Sequence, residues 1–309
     1  MQIIGSFEQQ IIGVARDGQI QISTGEDVPV YTIDSFHVLT QFVGYAKYIN
    51  RQNANVYLRG QTGLYDGHLI PSIYRPLSGS GSVNYSERTP KYIEKVHQAL
   101  SKSKVFDSID SHAIVPLLQH YGIKTSWLDV VDNLWVALWF GLHKFHSIIL
   151  QNHEYIHISK VNPNEYAYLF LIAVDAREEL SSCIKDTRVS FPGVYSGETT
   201  RLVDLRKAVP SYYLRPHAQH GLMIHKKRIN HTHRRSLEKV DVDYSEFVVG
   251  VAKIPAALGF SWIGHTGLLS TQSLFPSAVY DNGYSSLIRH YQVDANSIPT
   301  YGSIQIISS

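Results

Sequence analysis

The run from Gln119 to Leu142, QHYGIKTSWLDVVDNLWVALWFGL, constrains the fold most tightly, because closely spaced polar side chains lead straight into a highly apolar segment. Trp135, Leu138, Trp139 and Leu142 follow the spacing of one helix face, and Val136, Ala137 and Phe140 fill the other side, which predicts a helix buried nearly all round. Asp132 or Asn133 is placed to cap its first turn. Upstream, Gln119, His120, Tyr121, Thr125, Ser126 and Asp129 crowd around Gly122. Such groups are costly to bury without partners, so this loop is either a heavily hydrogen-bonded turn or one wall of a pocket.

A chain of 309 residues, 44% of them hydrophobic, can bury a substantial core. Only 17% of its residues are charged, against about 25% in an average soluble domain. With 20 tyrosines and 16 histidines, the sequence predicts a surface suited to stacking and hydrogen bonding, or one simply poor in charge. Cys183 is the single cysteine, so no internal disulfide forms and a reducing cytoplasm is expected. The opening MQIIGSFEQQ does not read as a signal peptide, and no apolar run approaches the roughly 20 residues that span a bilayer. The expectation is a soluble cytoplasmic protein with no membrane partner.

Residues 2–23 alternate in short runs, with Asp17-Gly18 as a hairpin turn, which predicts a β element over 1–35 packed on a main domain over 36–309. A helical period runs from Phe36 to Asn50, and VYLRGQ follows as a strand carrying Arg59 and Gln61 at its end. A Gly/Ser-rich loop over 77–89 leads to helices over 90–104 and 113–119. His143 to Asn164 shows little periodicity, AYLFLIAVDA reads as a strand, and 190–211 reads as an irregular insertion. LRPHAQHGLMIHKK and FVVGVAKIP are expected as strands, SSLIRHYQ as a helix and SIQIIS as a terminal strand. With no repeat and no linker, the pattern predicts one mixed α+β domain.

Arg59 offers a fixed bidentate donor, and the adjoining Gly60 and Gln61 give a ligand room to approach the backbone. Its partner is a phosphate or carboxylate ligand, or an internal carboxylate. Between Leu205 and Leu237 there is no acidic residue, while Lys226, Lys227, Arg228, Arg234 and Arg235 join three further basic residues and five histidines. That stretch is read either as a nucleic-acid contact or as a solvated face. No histidine spacing matches a zinc pattern, and no nucleophile elbow or phosphate-binding glycine loop is present, so no metal is expected.

Four ordered stretches resemble the FRG domain, a family found mainly in bacteria and phages. They are LRGQ at Leu58 to Gln61 followed by LIPSIYR at Leu69 to Arg75; QHYGIKTSWLDVVDNLWVALWF; RPHAQHGLMIH at Arg215 to His225; and SLFPSAVYDNGYSSLI. Lys124 stands where the family usually has proline, and Ser126-Trp127 where it has an Arg-Leu pair. The order of these pieces is similar to the layout of mono-ADP-ribosyltransferases, whose split β-sheet, flanked by helices, clamps NAD⁺. That resemblance implies NAD as co-substrate, with Arg59, Gly60, Gln61, Gln119, His120, Tyr121, Thr125 and Ser126 around it. Arg59 would hold the pyrophosphate or the nicotinamide-side ribose, and Tyr121 would stack on nicotinamide. Those enzymes carry a glutamate on the last strand, where this chain has Gln219. A neutral amide offers no charge to a developing cation. Asp129 is the substitute carboxylate, unless it caps the turn and pairs with Arg59. The function implied is transfer of ADP-ribose to a nucleic acid acceptor, RNA or DNA, by a bacterial or phage-defence toxin, with a protein acceptor and an antitoxin partner left open. The rival is a non-catalytic sensor that binds a nucleotide or a phage component.

Overall fold

Two near-continuous apolar runs, Tyr166–Val174 and Val248–Pro255, are buried on both faces and pair antiparallel as central strands. The computed structural model describes residues 1–5, 7, 14–75, 106–150, 153–184, 187–227, 238–264, 267–277, 279–281, 283 and 305–308. Its strands are β1 Val14–Gln21, β2 Asp27–Ile33, β3 Asn55–Gln61, β4 Leu128–Val131, β5 His143–Leu150, β6 His153–Lys160 and β7 Tyr166–Val174. They continue with β8 Glu178–Ile184, β9 Thr187–Ser196, β10 Thr200–Asp204, β11 Gly221–Lys226, β12 Val248–Pro255 and β13 Gln305–Ser308. The helices that bear on the site are α1 Phe36–Asn50, α2 Ser111–His120, α3 Leu134–Gly141, α4 Leu205–Ala208, α5 Leu214–Ala218 and α6 Ala256–Ile263.

Ten strands form one mixed sheet in the order β1-β2-β12-β7-β3-β4-β11-β10-β9-β8, so this is an α+β domain built on a single large sheet flanked by helices. The β2–β12 pair is parallel, and its other pairs are antiparallel. In the middle, β3 and β4 meet at one paired position, Leu58 opposite Val131. By contrast β3 pairs with β7 over its whole length. The sheet is thus two five-stranded halves that part just where Arg59 begins.

Leu169 and Leu171 of β7 join a core with α1, α3 and α6, whereas Phe170 and Ile172 join a second core on the opposite face, as strand alternation requires. A third cluster packs α2 and α4 against Val203 and Met223. Helix α3 is buried as its uniform apolarity demands, and Asn133 is its cap, its side-chain oxygen accepting from the Trp135 and Val136 amides at 2.9 and 3.2 Å.

Several sequence expectations change. Asp17-Gly18 is not a turn but a bulge inside β1: two residues oppose one between the pairs Arg16/Tyr31 and Gln19/Pro29, and Gly18 takes φ 106° there. The N-terminal β element is the edge of the main sheet, joined through β2 and β12. Residues 143–150 and 153–160 pair antiparallel as β5 and β6, and β13 extends them in parallel. The insertion over 190–211 is β9, β10 and α4, and the first half of LRPHAQHGLMIHKK is the short helix α5. The loop over 77–89 and the helices over 90–104 and at SSLIRHYQ lie outside the described residues. Among the described residues, no helix is long and apolar enough to cross a membrane.

Candidate functional site

Helix α2 carries Gln119 and His120 on its last turn, and the chain then folds back through Gly122, at φ 95°, into β4 with Asp129. The loop between is wired through one amide. Gln119 Oε1 accepts from the Thr125 amide (2.9 Å), the Thr125 hydroxyl (2.9 Å) and the Ser72 hydroxyl (3.2 Å). A backbone N–H can only donate, so the Gln119 orientation is fixed and its Nε2 must face outward, where it donates to Asp129 Oδ2 at 3.1 Å. The other carboxylate oxygen lies 3.6 Å from His120 Nδ1. The loop is therefore the heavily hydrogen-bonded turn that its composition allowed, and it aims one carboxylate.

Asp129 keeps 40% of its side-chain surface open while His120, against it, is buried. Burial pushes its carboxyl up, but the His120 ring, the Arg59 guanidinium and the Gln119 amide outweigh that and hold it below the usual carboxylate range. Arg59 reaches it from β3 without an ion pair: its Nη1 donates to the Asp129 backbone carbonyl at 2.6 Å. Burial lowers Arg59 to about 10, with Asp129 raising it and Arg75 lowering it, so it stays charged at neutral pH. Arg59 Nε, Gln61 Oε1 and both ring nitrogens of His120 are buried with no hydrogen-bond partner. These are four of the eight such atoms among the described residues.

Other predicted site residues have structural work. A Cβ on Gly60 would lie 1.8 Å from the Ala137 carbonyl oxygen, so the glycine lets β3 close onto α3 rather than admitting a ligand to the backbone. Tyr121 is fully buried, its hydroxyl donating to both oxygens of Asp281 at 2.8 Å, which leaves no ring face for nicotinamide. Thr125 is buried and holds the turn through the Trp127 amide, 3.1 Å from its Oγ1. Ser126 accepts from the Tyr244 hydroxyl through its carbonyl at 2.7 Å.

Gln219 is not on a strand. It ends α5, is buried, and donates from Nε2 to the Leu274 carbonyl at 2.7 Å. Gln219→Glu would set a carboxylate against that carbonyl, and we expect a loss of about 3 kcal/mol in urea unfolding with no gain in any activity of the site.

Of the basic stretch, Lys226 pairs with Glu246 at 3.0 Å and also bonds the Val240 and Asp243 carbonyls, while Lys227 bonds Ser196 Oγ and the Gly197 carbonyl. Arg228, Arg234 and Arg235 lie outside the described residues. Among the described residues, no three His, Cys, Asp or Glu side chains are grouped to hold a metal.

The sequence reading missed the residues that tie the motifs together. Asp281 accepts from Tyr121 and from the Leu214 and Arg215 amides, Arg215 lies over the rings of Tyr121 and Phe275, and His120 packs where a Cβ on Gly221 would lie, 2.6 Å from its Cε1. It also passed over Arg75, whose signal was its charge at the end of LIPSIYR.

A search of the curated proteins and a search of the solved structures each returned no match. A comparison with protein families matches residues 54–147 to the FRG domain. Arg59, Arg75, Gln119, His120 and Asp129 all fall within that span, and Gln219 falls beyond it. The chain carries an FRG domain across residues 54–147.

Proposed function

We propose that the chain is an NAD⁺-dependent mono-ADP-ribosyltransferase whose site is the opening between β3 and β4. The observation that carries this reading is Asp129: an ionised, solvent-open carboxylate aimed by Gln119 from a rigid strand, beside a guanidinium with unused donors. In the transfer, the bond between the ribose C1′ and the nicotinamide nitrogen breaks, and nicotinamide leaves with the bonding pair. Asp129 lowers the energy of the oxocarbenium-like ribose, and Arg59 neutralises a phosphate. An acceptor amine or hydroxyl then bonds C1′ and releases its proton. A preorganised opposite charge at such a centre is commonly worth a few kcal/mol. The acceptor in this reading is RNA or DNA, and the biological setting is a toxin active against its own cell or against phage.

The test is to incubate the chain with NAD⁺ labelled in the adenylate and with separate RNA, DNA and protein fractions. Label in the nucleic acid, with nicotinamide released in equal amount and both lost in Arg59→Ala, is the expected result. Wild type matching Arg59→Ala in every fraction would remove the enzyme reading.

A second reading, a sensor module that binds a nucleotide without turnover, is favoured by Gln219. Its amide is committed to Leu274, so the glutamate position of the transferases supplies nothing to this site. Thermal stabilisation by NAD⁺ without nicotinamide release would select it.

A further inference from the structure

We infer that His146 and His157 form a two-histidine site for a divalent transition metal of the imidazole-binding kind, such as Zn²⁺, which clips β5 to β6. The site is separate from the opening between β3 and β4, and it stands or falls without the transfer reading.

Strand register makes the site. β5 and β6 pair antiparallel, and His146 stands directly opposite His157 in that ladder. Opposed residues put their side chains on one face with Cβ atoms about 4.5–5.5 Å apart, so two imidazoles meet there without backbone movement. Their ring centres lie 6.1 Å apart, with the planes 32° from each other. Two imidazoles sharing one metal, about 2.0–2.1 Å from each ligating nitrogen, hold their ring centres roughly 5–6 Å apart. The pair stands at the wide end of that spacing. Distant from each other in sequence, the two histidines match no ligand motif, and only the register brings them together.

Ser159 supplies the second observation. It lies two residues along β6 from His157, hence on the same face, and its Oγ is 3.0 Å from His146 Nε2. A metal-bound histidine nearly always donates its other ring N–H to an oxygen, which fixes the tautomer and the ring plane. With Nε2 giving its proton to Ser159, the His146 lone pair lies on Nδ1. Among the described residues His157 makes no hydrogen bond, so its nitrogens are not committed elsewhere. His146 is exposed and His157 partly so, which leaves the remaining coordination positions to water. Lys144 shares that face of β5, but its Nζ lies 2.9 and 2.7 Å from the two carboxylate oxygens of Glu165, which offsets its charge.

Two imidazoles without a carboxylate select zinc, nickel or copper over magnesium and calcium, which prefer oxygen ligands. Two protein ligands hold a metal less firmly than the four of a closed structural zinc site, so the expected affinity is micromolar. The gain falls where the fold is thinnest. β5 is the edge of the small sheet β13-β6-β5 and has a strand partner on one side only, so a metal bridging it to β6 adds a tie that its backbone lacks.

The experiment titrates Zn²⁺, and separately Mg²⁺, into the full chain by calorimetry, for wild type, His146→Ala, His157→Ala and Ser159→Ala, with metal-free thermal midpoints as the fold control. The chain has 16 histidines, so the comparison between variants separates this site from weak binding elsewhere. Wild type is expected to bind Zn²⁺ with a micromolar Kd and to give no heat with Mg²⁺. Either histidine variant should weaken Zn²⁺ binding by at least about 10-fold, and Ser159→Ala by about 10-fold, since loss of an orienting partner commonly costs that much. Hydrogen exchange of the β5 amides in wild type gives a readout that needs no variant: it should slow when Zn²⁺ is added and stay unchanged with Mg²⁺. The inference is overturned if both histidine variants keep the wild-type isotherm, which would put the metal elsewhere. It is equally overturned if wild type binds no Zn²⁺ in the micromolar range, or if β5 exchange does not respond to it.

Discussion

Gly60→Ala should leave most of the chain unfolded in the cell. A Cβ at this position stands 1.8 Å from the Ala137 carbonyl oxygen and 2.6 Å from the Gly141 amide nitrogen, and both are backbone atoms of a helix that cannot rotate aside. Helix α3 is in turn held by Val136, Leu138 and Trp139, all buried in the main core. Relief therefore means moving α3 off β3 and opening that core, for which we expect about 3 kcal/mol or more against a total stability of about 5–15 kcal/mol. Gly44 supplies the control. It lies in α1 with nothing within 4 Å of its Cβ position, so Gly44→Ala should gain about 0.5–1 kcal/mol from helix propensity. Soluble yield and urea unfolding of the two variants check the contrast. Gly60→Ala with wild-type stability would mean that β3 and α3 do not meet as described, and the position of Arg59, which depends on that contact, would fall with it.

The same glycine shows what sequence can and cannot disclose. Strong local signals were readable: the period of α1, the uniform apolarity of α3, and the continuous runs of β7 and β12 each follow from one segment meeting one core. The strand β9 was not readable, because Pro192 and Gly193 interrupt it. The structure places them in a bulge, since β8 pairs from Glu179/Tyr195 directly to Ser181/Ser190, and Gly193 adopts φ 78° against the Asp204 carbonyl. A breaker that ends an isolated strand is accommodated where neighbouring strands continue the pairing on both sides. Between β5 and β6 the pairing is complete from His143/Lys160 to Leu150/His153, yet the only apolar alternation by which to see it is the short one of Ile156 and Ile158.

The segments that carry the resemblance are linked to one another in the structure, but roles within them depend on which side of the backbone faces a neighbour. LRGQ held both a residue of the opening, Arg59, and a packing residue, Gly60; QHYG held Gln119, which aims Asp129, and Tyr121, which is locked on Asp281. AQHG and LFPSAVYD meet the others through Gln219 to Leu274 and through Asp281. In this chain the motifs are held together mechanically: each supplies a partner that another one needs. Nothing local in the sequence distinguishes a partner of that kind from a ligand contact.

Asp129 is where the distinction becomes measurable. Asp129→Asn keeps the size of the side chain and an oxygen to accept from Gln119 Nε2, so the wiring of the loop survives while the negative charge is lost. If the carboxylate faces a cationic ribose in the transition state, nicotinamide release should fall about 10²- to 10³-fold in kcat with NAD⁺ affinity nearly unchanged. Arg59→Ala should do the reverse and weaken binding first, because a phosphate contact is present in ground and transition states alike. The pH profile gives a second readout with a definite sign. The His120, Arg59 and Gln119 contacts hold the Asp129 carboxyl below its usual range, so it stays ionised and adds no step to the rate between roughly pH 5 and 8. A rise in rate centred near pH 6 that vanished in Asp129→Asn would show the carboxyl protonated at its work, acting as an acid. Retention of full kcat in Asp129→Asn would leave the carboxylate a structural partner of Gln119 and His120, and the opening between β3 and β4 would then be a binding site alone.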